Sequence, residues 1–263
     1  MAETVQEPTE VAEDSGRTAL CLCEQYARVT ERAALAGARW LGRADQEAAE
    51  EAATTGMRAA LDGFPIQGRI VIGAADDESP LRVGEEIGAG GPPVDLALDP
   101  LEGRGVVARG GNGAMSMIAV GDRDSLPTLP DMYMRKMAVG PLARGKIDLL
   151  KPMGENVRAI AQAFGRNVND ITTIVLDRPR HHDLIEDIRA AGARIKLIQD
   201  GTVTASISAA IRGTNDHLAV GIGGTRQAVM SAAALRCLGG ELQAQLWPTT
   251  RREIGRASCR ERV

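Results

Sequence analysis

Thr172-Thr-Ile-Val-Leu-Asp-Arg-Pro-Arg-His-His-Asp-Leu-Ile-Glu-Asp-Ile-Arg-Ala-Ala-Gly-Ala-Arg-Ile-Lys-Leu-Ile198 reads as a strand, a helix and a second strand in succession. The strands are Thr172–Leu176 and Arg194–Ile198, and the helix runs from His182 to about Ala191. A helix near Glu155–Phe164 precedes this unit. After it come a helix starting near Val203, a buried strand at Ala219–Ile222 and an Ala-rich helix at Ala228–Leu238. Strand and helix therefore alternate through the second half, which predicts a sheet flanked by helices.

The first half carries similar signals. Ala19, Tyr26, Val29, Ala33, Ala36 and Trp40 recur at helical spacing, and a second Ala-rich helix runs from about Gln46 to Leu61, closed by Gly63 and Pro65. Gly68–Gly73 is an apolar run bounded by glycines, and Val94–Asp99 alternates. Ala114–Val120 and Met134–Val139 are the other expected strands, and no internal repeat is evident. One domain is expected over residues 18–253, its N-terminal half ending near residue 145 and its α/β half following. Residues 1–17 are read as a disordered tail, with five acids between Met1 and Asp14. Ile254-Gly-Arg-Ala-Ser-Cys-Arg-Glu-Arg-Val263 back-translates codon by codon to a common sequencing-library adapter. It is read as foreign, so the native C-terminal part is expected to be missing beyond Arg252 or Glu253.

The 263 residues are 44% hydrophobic but only 2% aromatic, with 30 Gly, which suits an α/β protein better than an all-β sandwich. Lys and Arg total 31 against 35 acids, leaving no basic surplus to offset a nucleic-acid backbone. No apolar run approaches the roughly 20 residues of a membrane span, and no signal peptide is visible, so a cytoplasmic protein is expected. Cys21, Cys23, Cys237 and Cys259 make neither a disulfide framework nor a paired zinc motif.

The sharpest chemical feature is Asp99-Pro-Leu-Glu-Gly103, at the end of an expected strand. An acid there lies where α/β sheets place ligands. Pro100 is expected to turn the chain, Glu102 adds a second carboxylate, and Gly103 lets backbone N–H groups approach an anion. Hard divalent cations take such oxygen ligands and can activate water against a phosphate ester.

Asp99–Gly103 does not stand alone. Arg28-Val-Thr-Glu-Arg-Ala-Ala-Leu-Ala-Gly37, Trp40-Leu-Gly-Arg43, Ile70-Val-Ile-Gly73, Asp131-Met-Tyr-Met134, Arg178-Pro-Arg-His181, Asp200-Gly201 and Gly221-Ile-Gly-Gly224 accompany it. In this order and spacing the sequence resembles the class II fructose-1,6-bisphosphatases, relatives of the lithium-sensitive sugar phosphatases. The resemblance implies a layered α/β/α/β/α sandwich, here incomplete at the C-terminus. It also implies a homo-oligomeric, metal-dependent (Mn²⁺ or Mg²⁺) phosphatase that removes the 1-phosphate of fructose 1,6-bisphosphate in gluconeogenesis. By carry-over, Asp99, Glu102, Glu50 and Gln227 occupy metal positions. Glu102, Gly103 and Arg104 occupy catalytic ones. Glu102, Gly103, Tyr133, Arg178, Arg180, His181, Asp200, Gly201 and Gly224 would contact the sugar phosphate.

Several positions depart from the family pattern. Glu50 stands for an Asp, Ala74 and Ala75 for an acidic loop, Arg104 for a Thr that positions water, Thr202 for a second Asp, and Gln227 for an acidic ligand. Asp76 and Asp77 are the nearest substitutes for the missing loop acids. Because hard cations are held largely by charge, weakened metal affinity and weak activity are expected. The alternative is a non-catalytic sugar-phosphate-binding partner. A third reading is a shifted specificity, toward a sedoheptulose or inositol phosphate, with Arg104 recognising an extra anion.

Overall fold

The computed structural model describes residues 22–74 and 79–249. The expected acidic tail, the thiols of Cys21 and Cys259, Asp76, Asp77 and the adapter-like segment lie outside the described residues. In chain order the elements are α1 (Leu22–Ala38), α2 (Gln46–Asp62), β1 (Gln67–Ile72), β2 (Glu86–Ile87), β3 (Pro93–Glu102), α3 (Arg104–Ala108), β4 (Met115–Asp122) and β5 (Tyr133–Val139). There follow α4 (Met153–Phe164), β6 (Thr172–Leu176), α5 (His182–Ala190), β7 (Arg194–Ile198), α6 (Thr202–Ala210), β8 (Leu218–Gly224), α7 (Thr225–Leu238) and β9 (Glu241–Leu246).

Two mixed sheets form, one four-stranded in the order β2-β1-β3-β4 and one five-stranded in the order β7-β6-β8-β5-β9. Period-two alternation decides which helices cover each face. In the first sheet Ile70, Leu96 and Leu98 pack against Val29 and Ala33 of α1 and Ala49, Ala53, Met57 and Leu61 of α2. Its other face, with Val71 and Ala97, meets Val203 of α6 and Val229 and Met230 of α7. In the second sheet Met137, Val139 and Val175 face α4 and α5, while Ala138, Ile174 and Ala219 face Ala205 and Ala209 of α6 and Leu235 of α7. Both sheets thus bury both faces, and the layers run α/β/α/β/α with α6 and α7 in the middle. Alanines on the inward faces let these two helices approach both sheets.

Local chemistry starts and spaces the elements. Asp45 caps α2, its Oδ1 accepting the Ala48 N–H at 2.9 Å. Gly56 allows the close α1–α2 crossing, because a Cβ there would lie 2.9 Å from the Arg32 carbonyl oxygen. Fully burying Met57 and Leu61 contributes roughly 1.5–3 kcal/mol each. Among the described residues, no helix is long and apolar enough to cross a membrane.

Some elements differ from expectation, among them the short strand β2, which was not anticipated. Pro100 does not end the strand. β3 continues to Glu102 through a register shift against β4 between Asp99 and Glu102, a bulge that tolerates a missing N–H. The short helix α3 and the edge strand β9 carried no clear periodic signal. β9 reads Glu-Leu-Gln-Ala-Gln-Leu and forms because Val139 and its neighbours in β5 pair with it antiparallel.

Candidate active site

The bulge in β3 builds the site. Ala97 and Asp99 share the face toward the middle layer, and Glu102 would point the other way in a regular strand. The inserted residue inverts that parity, so Leu101 joins the α1–α2 core and Glu102 turns toward α6. Both carboxylates are buried, Asp99 3% and Glu102 6% exposed.

Glu102 Oε1 accepts the backbone N–H of Thr202 at 3.1 Å and the Thr202 hydroxyl at 3.3 Å, at the start of α6. Gly201 precedes that helix in the left-handed region (φ 85°), and its N–H donates to Asp200 Oδ1. Lys136, buried in β5, donates from Nζ to the Thr202 hydroxyl at 3.1 Å. Glu102 Oε2 is buried with no hydrogen-bond partner. Burial, and then the Asp99 charge, push Glu102 up to about 7. Burial pushes Asp99 up to about 6, with Glu50 adding to the shift and Arg226 opposing it. Burial likewise pulls Lys136 down to about 8, against the pull of Glu102.

α7 contributes from its first turn. Gln227 turns its Nε2 toward Asp99 Oδ2 at 3.5 Å, and Arg226 donates to the Gly73 carbonyl at 3.0 Å. Glu50 of α2 is paired with Arg104, whose Nη1 binds its Oε2 at 2.5 Å. On the far side of the bulge, Gly103 (φ 93°) opens α3, and a Cβ there would lie 3.8 Å from Asp200 Cγ. Asp200 and Gly201 therefore flank the Gly103 turn.

The antiparallel β5–β8 pair carries the site sideways. Lys136 pairs with Gly221 and Tyr133 with Gly224, which caps α7 beside Gln227. The Arg180 guanidinium lies 5.3 Å from the Tyr133 ring centroid and donates to the Ile222 carbonyl at 3.0 Å. Asp99, Gln227, Gly224, Tyr133 and Arg180 thus form an unbroken series of neighbours. A cavity of about 200 Å³ opens beside Arg180, with Arg135 and Lys151 in its lining.

A family model described as bacterial fructose-1,6-bisphosphatase, glpX-encoded, matches residues 20–261. The chain belongs to this family. A D-fructose 1,6-bisphosphatase class 2/sedoheptulose 1,7-bisphosphatase of Synechococcus sp. (strain JA-3-3Ab) is 45% identical over 233 residues, covering 83% of this chain and 67% of that protein. Proteins of the same name from Crocosphaera subtropica (42%; 83% and 68% covered) and Parasynechococcus marenigrum (44%; 86% and 68% covered) are also similar to it.

Within this fructose-1,6-bisphosphatase family fold, two of the expected contact residues also hold backbone groups. His181 is fully buried, its Nδ1 bonding the Leu176 carbonyl at 2.7 Å while Nε2 accepts the Ile222 N–H at 2.8 Å. Both ring nitrogens are thus engaged, and His181 fixes the β8 backbone on which Arg180 rests. Arg178 donates to the carbonyls of Asp177 and Gln199, each at 2.7 Å, tying together the ends of β6 and β7. The sequence reading missed Lys136 and Arg226. Lys136 was detectable as a lysine on the same strand face as Ala138, inside an otherwise apolar strand.

The donor set fits one hard cation. Among the described residues, no group of three or more His, Cys, Asp and Glu side chains comes together as a metal set. Asp99 and Glu102, however, are adjacent buried carboxylates, and the Glu102 Oε2 has no partner. Two carboxylates completed by water and substrate phosphate are a usual arrangement for Mg²⁺.

Proposed function

We propose that this chain hydrolyses the 1-phosphate ester of fructose 1,6-bisphosphate, with one divalent cation, Mn²⁺ or Mg²⁺, held by Asp99 and Glu102. The observation that carries the reading is the buried Glu102 Oε2, unpartnered beside Asp99 and next to the edge that bears Tyr133 and Arg180. The cation would supply neutralisation of phosphoryl charge and acidify a water for attack.

The chain's own groups orient the ester. Arg180 offers a planar fork suited to phosphate, already steered by the Ile222 carbonyl and the Tyr133 ring. Tyr133, exposed like Arg180, supplies a flat face for the sugar. Lys136 Nζ keeps its proton at neutral pH and holds Thr202, which in turn orients Glu102. Asp200 and the Gly103 turn close the opposite wall. The basic lining of the cavity beside Arg180 suits the distal phosphate. A phosphorylated sugar substrate goes with the cytoplasmic location that the sequence leads one to expect.

The names of the relatives favour a hydrolase over a non-catalytic partner, and they extend the candidate substrates to sedoheptulose 1,7-bisphosphate. Phosphate release from both bisphosphates with Mn²⁺ or Mg²⁺ tests the reading. Hydrolysis that disappears in Asp99→Asn is expected. No release from either substrate at millimolar cation would overturn it.

A further inference from the structure

We infer that the cavity at the start of β8, between Arg166 and His217, is a binding site for a phosphate-type oxyanion, separate from the candidate active site. The inference is independent of the functional reading above. His217 directly precedes β8, whose pairing with β5 runs from Leu218 opposite Val139 to Gly224 opposite Tyr133. The candidate active site gathers at the Gly224 end, so His217 lies at the other end of the strand, roughly 20 Å away.

Donors outnumber acceptors at this histidine, which is only 3% exposed. The Thr172 backbone N–H, fixed by β6, donates to Nδ1 at 3.0 Å, and the Arg166 guanidinium reaches Nε2 through Nη1 at 3.2 Å. A neutral imidazole has one acceptor nitrogen and one N–H, and a guanidinium only donates. Thr172 takes the acceptor, so Nε2 carries a hydrogen that faces a second donor. Burial and the Arg166 charge lower the His217 pKa, which keeps the ring neutral rather than doubly protonated. Two buried donors converging on one place call for an acceptor beside them, and an oxyanion supplies several.

The surroundings suit such an ion. The cavity holds about 80 Å³, enough for several water molecules and so for a tetrahedral oxyanion. Arg212 joins Arg166 in its lining. Asp216 is the one acid there among the described residues, and Lys196 at 2.8 Å and Ser208 at 2.6 Å already engage its carboxylate. The walls are fixed in place. Phe164 meets the His217 ring edge-on at 4.8 Å, and the Thr214 hydroxyl pins the loop after α6 by donating to the Ser208 carbonyl at 2.8 Å. Arg166 follows α4, Arg212 follows α6 and His217 precedes β8. Donors from three separate segments suit a tetrahedral ion better than a planar carboxylate.

The experiment follows the imidazole nitrogens of the whole chain by nitrogen NMR, in chelator, as inorganic phosphate is added. The chain has 3 histidines, and His217→Phe assigns the His217 signals by their loss. His181 lines the cavity beside Arg180 and reports on the candidate active site separately. Without phosphate the His217 ring is expected as the Nε2–H tautomer, and phosphate is expected to move its Nε2 signal saturably in the millimolar range. Arg166→Gln, which removes a charged donor, is expected to weaken binding about tenfold or more. Arg212→Gln, in the exposed loop, is expected to weaken it too, and it carries the test if Arg166→Gln does not fold. Arg180→Gln is expected to leave the His217 titration unchanged. Circular dichroism melts establish that each variant is folded. An Nδ1–H tautomer would overturn the site, as would a His217 signal that phosphate moves no more than chloride does at equal ionic strength. Full phosphate affinity at His217 in the folded arginine variants would do the same. So would a shift confined to His181, which places phosphate beside Arg180 only.

Discussion

Glu102 accepts the Thr202 backbone N–H through Oε1 at 3.1 Å, while its second oxygen is equally shut from solvent and meets no donor. One oxygen of this carboxylate is tied to the start of α6 and the other is left without a hydrogen-bond partner. A buried charge left without a partner costs stability, and such a cost is typical of binding sites.

The first prediction follows from that imbalance. Burial and the Asp99 charge push Glu102 up to about 7, whereas an unfolded Glu titrates near ~4.3. Between those values the folded chain binds more protons than the unfolded one, so this group's contribution to stability falls as pH rises through about 7. Glu102→Gln mimics the protonated form. Without metal it is expected to melt above the wild type at pH 8, with the gap narrowing toward pH 5, and to lose Mn²⁺ uptake. Thermal melts in a chelator at both pH values check this, and a variant that melts lower at pH 8 contradicts it.

His181 titrates with the opposite sign. Burial, aided by the neighbouring Arg180 and Arg178 charges, lowers its pKa below the usual value. The unfolded chain therefore binds the proton first on acidification, and the stability His181 contributes is complete above about pH 6.5 and lost as pH falls through its folded value. Truncation strands the Leu176 carbonyl and the Ile222 N–H, which are bonded at 2.7 and 2.8 Å. His181→Ala is expected to lose about 1–3 kcal/mol at pH 7.5. Denaturant melts across pH should show the difference from wild type shrinking below pH 6.

The contrast between these two residues shows what the sequence made legible. Alternation and helical spacing were enough for the layers, because Ile70, Val71, Ile174 and Val175 sort to opposite sheet faces by parity alone. Asp99 and Glu102 were recognisable as a motif, but parity placed them on opposite faces, and only the bulge at Pro100 unites them. His181 was legible as part of Arg-Pro-Arg-His and illegible in its role, since its two partners are backbone groups of distant strands. β9 was missed because it is polar and takes its register from β5 rather than from its own pattern.

Packing between α1 and α2 gives a third expectation, independent of the chemistry. At Gly56 a Cβ would meet the Arg32 carbonyl oxygen at 2.9 Å and the Ala36 Cβ at 3.0 Å, both on rigid helix backbone or at its root. Gly56→Val forces the helices apart and is expected to cost about 1–3 kcal/mol. Gly63, at the end of α2, has nothing within 4 Å of such a Cβ and a negative φ of −96°, so Gly63→Ala should be nearly neutral. Urea unfolding of the two variants compares them directly. Equal losses would mean that the crossing is looser than described.

Arg180 provides the last prediction, because its geometry separates binding from chemistry. The guanidinium is held by the Ile222 carbonyl and the Tyr133 ring, on the far side of Gly224 and Gln227 from Asp99. A group so placed grips the sugar phosphate equally in the ground and transition states, and such uniform binding sets KM rather than kcat. Lysine keeps the charge but loses the planar fork and the stacking on Tyr133. Arg180→Lys is therefore expected to raise KM for fructose 1,6-bisphosphate roughly tenfold, equivalent to about 1.4 kcal/mol, with kcat changed less than about twofold. Mn²⁺ uptake should be unaffected, since Asp99 and Glu102 keep their surroundings. Steady-state kinetics at saturating cation decide the matter, and a fall in kcat with KM unchanged would move Arg180 from holding the substrate to acting on the transferring phosphate.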